Sequence, residues 1–274
     1  MGGFPVSRKS CKMDSSTVAI ALGAPVLALF LLHYKSLPLA YTLRSYFLLR
    51  SIIPKAKWNL QSPLDLFTVV NQHERCLWDD IDYNSHMNNS SYNKVLDFSR
   101  IRLLYLLLPQ VMLDQDASIY CNNAGVLTLF KKEIVPLQRY TIQTRILTWD
   151  EKWFWLEHRF VYPKELARRQ QNQSLGDDDS VTPKELKAPD DEIVVACIAL
   201  SKLVFKERSG KTVPPTTVLE ICGHGVGNEE REERRARAYA YLEGLANTEK
   251  LFDGRWGVSG KRSSVTASLT RAKL

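Results

Sequence analysis

The chain has 274 residues, 45% apolar and 24% charged, the composition of a folded protein with room for one large domain or two small ones. That excludes a wholly disordered or collagen-like chain and argues against a multi-span membrane protein. A net charge of +7 would suit nucleic acid, but it resides in residues 1–57, where eight basic side chains face Asp14 alone, while the remaining charges balance. No nucleic-acid partner is therefore expected. A basic segment beside an apolar run instead suits an anionic membrane surface. Cys11, Cys76, Cys121, Cys197 and Cys222 are odd in number and show no CxxC or Cys/His zinc spacing. They read as reduced thiols in a reducing compartment, with no metal or other cofactor expected.

Residues 15–34 contain no Asp, Glu, Lys or Arg. Twenty helical residues rise about 30 Å, the thickness of a bilayer's hydrocarbon core, so a single transmembrane helix is expected here. The competing reading is a cleaved signal peptide, because Arg8, Lys9 and Lys12 precede the run. Five basic residues follow it (Lys35, Arg44, Arg50, Lys55 and Lys57), which favours a cytosolic body on a membrane such as the endoplasmic reticulum. Residues 37–53 mix Leu, Tyr and Phe with Arg44 and Arg50. They read either as an interfacial helix or as a linker helix packed on the body.

The body begins with residues 64–80, read as a strand entering a turn: LFTVV is β-rich, and Trp78 is followed by Asp79 and Asp80. A polar turn, DIDYNSHMNNSS, follows. A helix is predicted from Asn88 or Asn89 to Leu108, because Tyr92, Val95, Leu96, Ser99 and Leu103 share one face and Pro109 ends it. Strands are predicted over 126–135, 140–149, 153–162 and 192–205, the middle two joined by Asp150-Glu151-Lys152 as a hairpin. Residues 163–191 are polar and carry three prolines, and read as a mobile surface insertion. A charged helix is expected over 228–251 and a disordered basic tail over 254–274. One apolar helix facing several antiparallel strands has a simple solution: the sheet curls around it. This is the α+β hotdog arrangement.

The chemistry concentrates in Asp82-Tyr83-Asn84-Ser85-His86-Met87-Asn88-Asn89-Ser90-Ser91-Tyr92, the pattern D-x-N-x-H-x-N-N-x-x-Y. A carboxylate just before a helix lies near backbone N–H groups that have no intrahelical partner, at the end the helix dipole makes positive. A thioester carbonyl placed there would have its developing oxyanion stabilised, while the carboxylate attacks it or activates water. Asp82 could instead only stabilise the turn, and Asn88 and Asn89 could only cap the helix. Tyr92 and His158 read as core residues with satisfied polar atoms, and His73, His224 and the glycine-rich 223–227 carry no recognisable chemistry.

The motif closely resembles the signature of hotdog-fold acyl thioesterases, including the 4-hydroxybenzoyl-CoA thioesterase-like group, and the apolar segment ahead of it resembles the membrane-associated THEM6-like branch. The resemblance implies a hotdog domain over 58–227, preceded by a membrane segment over 1–57 and followed by 228–274. It implies that Asp82 is the catalytic carboxylate and Asp80 the first Asp of the family's D-x-D turn. It also implies that the Asn89 amide polarises the carbonyl, while Asn84 and His86 orient substrate or water. The substrate would be an acyl-CoA or acyl-carrier-protein thioester, and the protein a homodimer. The alternatives are a non-catalytic acyl-binding or scaffolding protein, and an enoyl-thioester hydratase or dehydratase, whose proline and preceding glycine are missing here.

Overall fold

The computed structural model describes residues 15–114, 116, 118–164, 193–225 and 229–255. Most of the expected insertion over 163–191, the tail beyond residue 255 and the basic residues before residue 15 lie outside the described residues.

Helix α1 spans Ser15–Leu32 and helix α2 spans Ala40–Asn59, with a 3-10 turn, Tyr34–Ser36, between them. The apolar run of 15–34 therefore does not form one helix. Among the described residues no helix is long and apolar enough to cross a membrane, so the expected transmembrane span is not supported.

Helix α2 packs on the body with one face, Ala40, Ile52, Ala56 and Asn59, which recur at near-fourfold spacing and are buried. Tyr41 meets the Phe98 ring at 5.1 Å, Arg44 lies over the same ring and contacts Glu74, and Asn59 donates to the Leu106 carbonyl. The opposite face leaves Leu43, Tyr46 and Phe47 exposed. Of the two readings of 37–53, the packed linker describes one face of this helix, and the other face is apolar and unpartnered among the described residues.

The body orders as β1 (Val70–Arg75), α3 (Asn89–Leu107), a short α4 (Pro109–Met112), β2 (Ile119–Phe130), β3 (Arg139–Trp149), β4 (Phe154–Pro163), β5 (Ile193–Glu207), a two-residue β6 (Thr212–Val213), α5 (Pro215–Ile221) and the charged α6 (Glu229–Arg255). The sheet is antiparallel throughout in the order β1-β3-β4-β5-β2, with β6 beside β5. The β3–β4 hairpin and α3 fall where their periodicity puts them. The strand and turn expected within 64–80 are present, with the strand starting only at Val70, and one other strand is displaced. The start of LFTVV forms a turn, because the Asp65 side chain accepts the Phe67 N–H and the Asp65 carbonyl accepts the Thr68 N–H. Leu66 and Phe67 enter the core, and the polar VNQHER that follows is the strand. The strand expected over 126–135 lies earlier, at Ile119–Phe130, where it pairs along β5.

Helix α3 supplies the centre of the core. Tyr92, Val95 and Leu96 join one apolar cluster with Ile142 and Phe160; Leu103, Leu104 and Leu107 join a second with Ile146, Phe154 and Leu203. Burial of each large aliphatic side chain stabilises the fold by about 1.5–3 kcal/mol. Between the clusters lies a polar layer: Ser99 and Arg100 of α3, Thr144, His158 and Ser201, all buried. The core helix against one sheet face is the hotdog-like arrangement expected. At the far side of the sheet, β2 pairs only with β5 among the described strands, and Leu127, Leu129 and Phe130 are exposed along it.

Candidate active site

Strand β1 ends at Arg75, and the chain is held beside the β2–β3 connection by Cys76 N–H to the Gln138 carbonyl (2.9 Å) and Leu137 N–H to the Cys76 carbonyl (2.7 Å). A 3-10 turn over Trp78–Asp80 then leads into a tight loop closed by an antiparallel bridge between Ile81 and Met87. Within the loop, Asp82 N–H donates to the His86 carbonyl and Ser85 N–H to the Asp82 carbonyl. Ser85 takes φ of 63°, an uncommon left-handed value for a residue other than glycine. Two bonds seat the loop on the body: Met87 N–H to the Ile134 carbonyl and Asn88 N–H to the Asp80 carbonyl, both 2.8 Å.

The loop gathers three of the predicted site residues. Asp82 Oδ1 accepts the Asn84 N–H at 2.8 Å and lies 3.6 Å from His86 Nδ1. The Asp82 side chain is 16% exposed and that of His86 is 25% exposed, so both reach solvent from a partly shielded position. Asn84 contributes its backbone N–H to Asp82. Asn89 stands on the other side of the Ile81–Met87 bridge, as the first residue of α3. Asn88 is the N-cap: its side chain accepts the Ser90 N–H at 2.8 Å, and its carbonyl accepts the Ser91 N–H. No acceptor is recorded for the Asn89 N–H among the described residues, so the helix start presents an open donor in an exposed position.

Asp80 is placed differently from Asp82. It is buried, paired with the Lys35 ammonium, and accepts the Leu77 N–H at 2.9 Å. Asp79 is the carboxylate that sequence reasoning passed over. Both its oxygens are shielded from solvent and have no hydrogen-bond partner among the described residues. An unpaired buried polar group costs free energy, so such a carboxylate marks either a strained spot or a partner absent from this chain alone. Its sequence signal, one acid among several in a polar turn, was too weak to separate it from its neighbours.

Cys76 is no nucleophile, since burial pushes its thiol up to about 12. Tyr92 is buried in the core with its hydroxyl raised by burial, as its position on α3 predicts. His158 is a core residue, hydrogen-bonded through both ring nitrogens. Among the described residues no group of three or more His, Cys, Asp or Glu side chains is arranged to hold a metal ion. A cavity of about 750 Å³ lies elsewhere, along the β1–β3 edge between His73, Arg75, Arg139 and Thr141.

Residues 76–215 match the thioesterase-like superfamily. A protein of Saccharomyces cerevisiae named "Probable thioesterase" is 29% identical over 212 residues, covering 72% of this chain and 77% of that protein. Protein THEM6 of Danio rerio is 30% identical over 131 residues, covering 46% of this chain and 62% of its own. The Emericella nidulans protein named "Probable thioesterase atnL" is 32% identical over 163 residues, and this chain spans only half of its length. Among solved structures, a 4-hydroxybenzoyl-CoA thioesterase bound to 4-hydroxybenzoyl-CoA aligns over 56% of this chain and 98% of its own, with 16% identity and a TM-score of 0.39.

Proposed function

The chain belongs to the thioesterase-like superfamily and is accordingly a thioester hydrolase, and we propose that its reaction is hydrolysis of an acyl-CoA or acyl-carrier-protein thioester at the junction of the 82–86 loop and α3. One observation carries this reading: a partly exposed carboxylate, Asp82, and an open helix-start donor, the Asn89 N–H, stand on the two sides of a single bridge. The donor and the dipole of α3 stabilise negative charge on a carbonyl oxygen placed there. Asp82 either attacks the carbonyl carbon or removes a proton from the attacking water, and the thiol departs. His86, 3.6 Å away, orients the carboxylate or the water. Lys131 and Lys132 are exposed next to the Ile134 connection that holds Met87, which fits the phosphates of an anionic thiol carrier. Release of free thiol from a series of acyl-CoA and acyl-carrier-protein thioesters tests the reading. Binding without release would support the non-catalytic acyl-binding alternative.

The open edge of β2 supports a homodimer in which a second copy pairs along this strand. A long apolar edge strand is otherwise an aggregation hazard. Leu129→Lys is expected to shift the protein from dimer to monomer in sedimentation analysis; an unchanged dimer would remove β2 from the interface. The outward face of α2, with Leu43, Tyr46 and Phe47 beside Arg50, Lys55 and Lys57, supports peripheral association with an anionic membrane surface. The four described cysteines are all unpaired, which supports a cytosolic placement of the body.

A further inference from the structure

The structure assigns to Lys35, which lies well ahead of the family-matched residues 76–215, the role of a positioning residue for the catalytic loop. This inference rests on the thioesterase reading for its kinetic consequence but on geometry alone for its structural one. Lys35 sits in the 3-10 turn between α1 and α2. Its ammonium donates to the Arg75 carbonyl at 2.8 Å and to Asp80 Oδ2, so it spans the connector from the end of β1 to the signature loop. Both side chains of the pair are only 6% exposed. An ammonium and a carboxylate shielded to this degree are held apart from water and screened little by salt.

The connection continues to the site through named bonds. The Asp80 carboxylate also accepts the Leu77 N–H, which closes the 3-10 turn, while the Asp80 carbonyl accepts the Asn88 N–H. Asn88 caps α3 and precedes the open Asn89 donor. Lys35 thus fixes Asp80, Asp80 fixes Asn88, and Asn88 fixes where the helix-start donor points. A displacement of about 1 Å at such a donor is worth on the order of a hundredfold in rate, because the stabilised oxygen has one productive position. The N-terminal segment is therefore part of the site's framework as well as a basic appendage.

The test uses the full-length chain. Lys35→Met is expected to lower kcat at least tenfold with KM within twofold, and Lys35→Arg to retain kcat within threefold. Removing one partner of a buried pair destabilises, whereas removing both is far better tolerated. The double variant Lys35→Met/Asp80→Asn is thus expected to recover thermal stability while kcat stays low. Recovery of kcat together with stability would overturn the inference, as would a Lys35→Met enzyme within twofold of wild type. A wild-type protein that releases no thiol would defeat the thioesterase reading alone. Amide hydrogen exchange then decides the Lys35 role: at least tenfold faster exchange at Leu77 and Asn88 in Lys35→Met supports it, and unchanged exchange overturns it.

Discussion

Asp82→Asn is expected to lower thioester turnover by at least a hundredfold while the protein stays folded and KM changes little. The substitution is nearly isosteric. The asparagine carbonyl oxygen can still accept the Asn84 N–H that Asp82 Oδ1 accepts at 2.8 Å, so the 82–86 loop keeps its closing bond. What disappears is the negative charge, and with it both the nucleophile and the base. A positioned general base contributes about 10²–10⁴-fold. The open Asn89 donor remains, so a residual rate above that of water is also expected. Thiol release under saturating substrate, with a urea melt as the folding control, makes the measurement. A rate within threefold of wild type would remove Asp82 from the chemistry. Asp79→Asn run in parallel separates the two carboxylates. If Asp79→Asn is inactive and Asp82→Asn is not, the reaction belongs to the shielded, unpartnered carboxylate, and Asp82 serves only its turn.

The parts of the site legible in the sequence are those written in local chemistry. Pro109 and the spacing from Tyr92 to Leu103 mark α3, because burial of one helical stripe repeats every three to four residues. Asn88 and the polar loop before it mark the helix start, because few residue types cap a helix. Strand β1 was less legible. VNQHER is polar, since this edge strand buries only alternate residues, and the start of the more β-prone LFTVV is bent into a turn by Asp65. The largest omission was long-range. Nothing in the residues around Lys35 or Asp80 announces that they meet across 45 positions, because one ion pair has no period and no local signature. The transmembrane expectation is not supported among the described residues, and the bend after α1 is a second long-range feature. Hydropathy counts apolar residues but does not see that the helix ends at Leu32 and turns at Tyr34–Ser36 to place Lys35 against Asp80.

The second large effect concerns the polar layer that divides the core. Arg100 can only donate, and its guanidinium meets Ser201 Oγ at 3.0 Å. The Ser201 hydroxyl then donates to His158 Nε2, and the Nδ1–H of His158 donates to Thr144 Oγ1, each at 2.9 Å, with Ser99 beyond. This direction uses each donor once and requires a neutral imidazole. Burial, and secondarily the charge of Arg100, lower the His158 pKa to about 3. The unfolded chain, with an ordinary histidine near 6.5, therefore binds a proton that the folded protein refuses. Above pH 6.5 the histidine is neutral in both states and imposes no pH dependence. Below it, stability falls by about 1.4 kcal/mol per pH unit until the folded pKa is approached, or about 2 kcal/mol by pH 5. His158→Gln is expected to be less stable than wild type by about 1–3 kcal/mol at pH 7.5, since Thr144 and Ser201 lose their shared partner. Its deficit should shrink by about 2 kcal/mol at pH 5, because the glutamine has no proton to refuse. Urea midpoints of the two proteins across this range make the comparison, and carboxylates common to both cancel in the difference. A deficit that stays constant with pH would mean that His158 titrates normally and that the layer opens to water. In that case Arg100 would not be held against the sheet, and the orientation of α3, on which the Asn89 donor depends, would need another source.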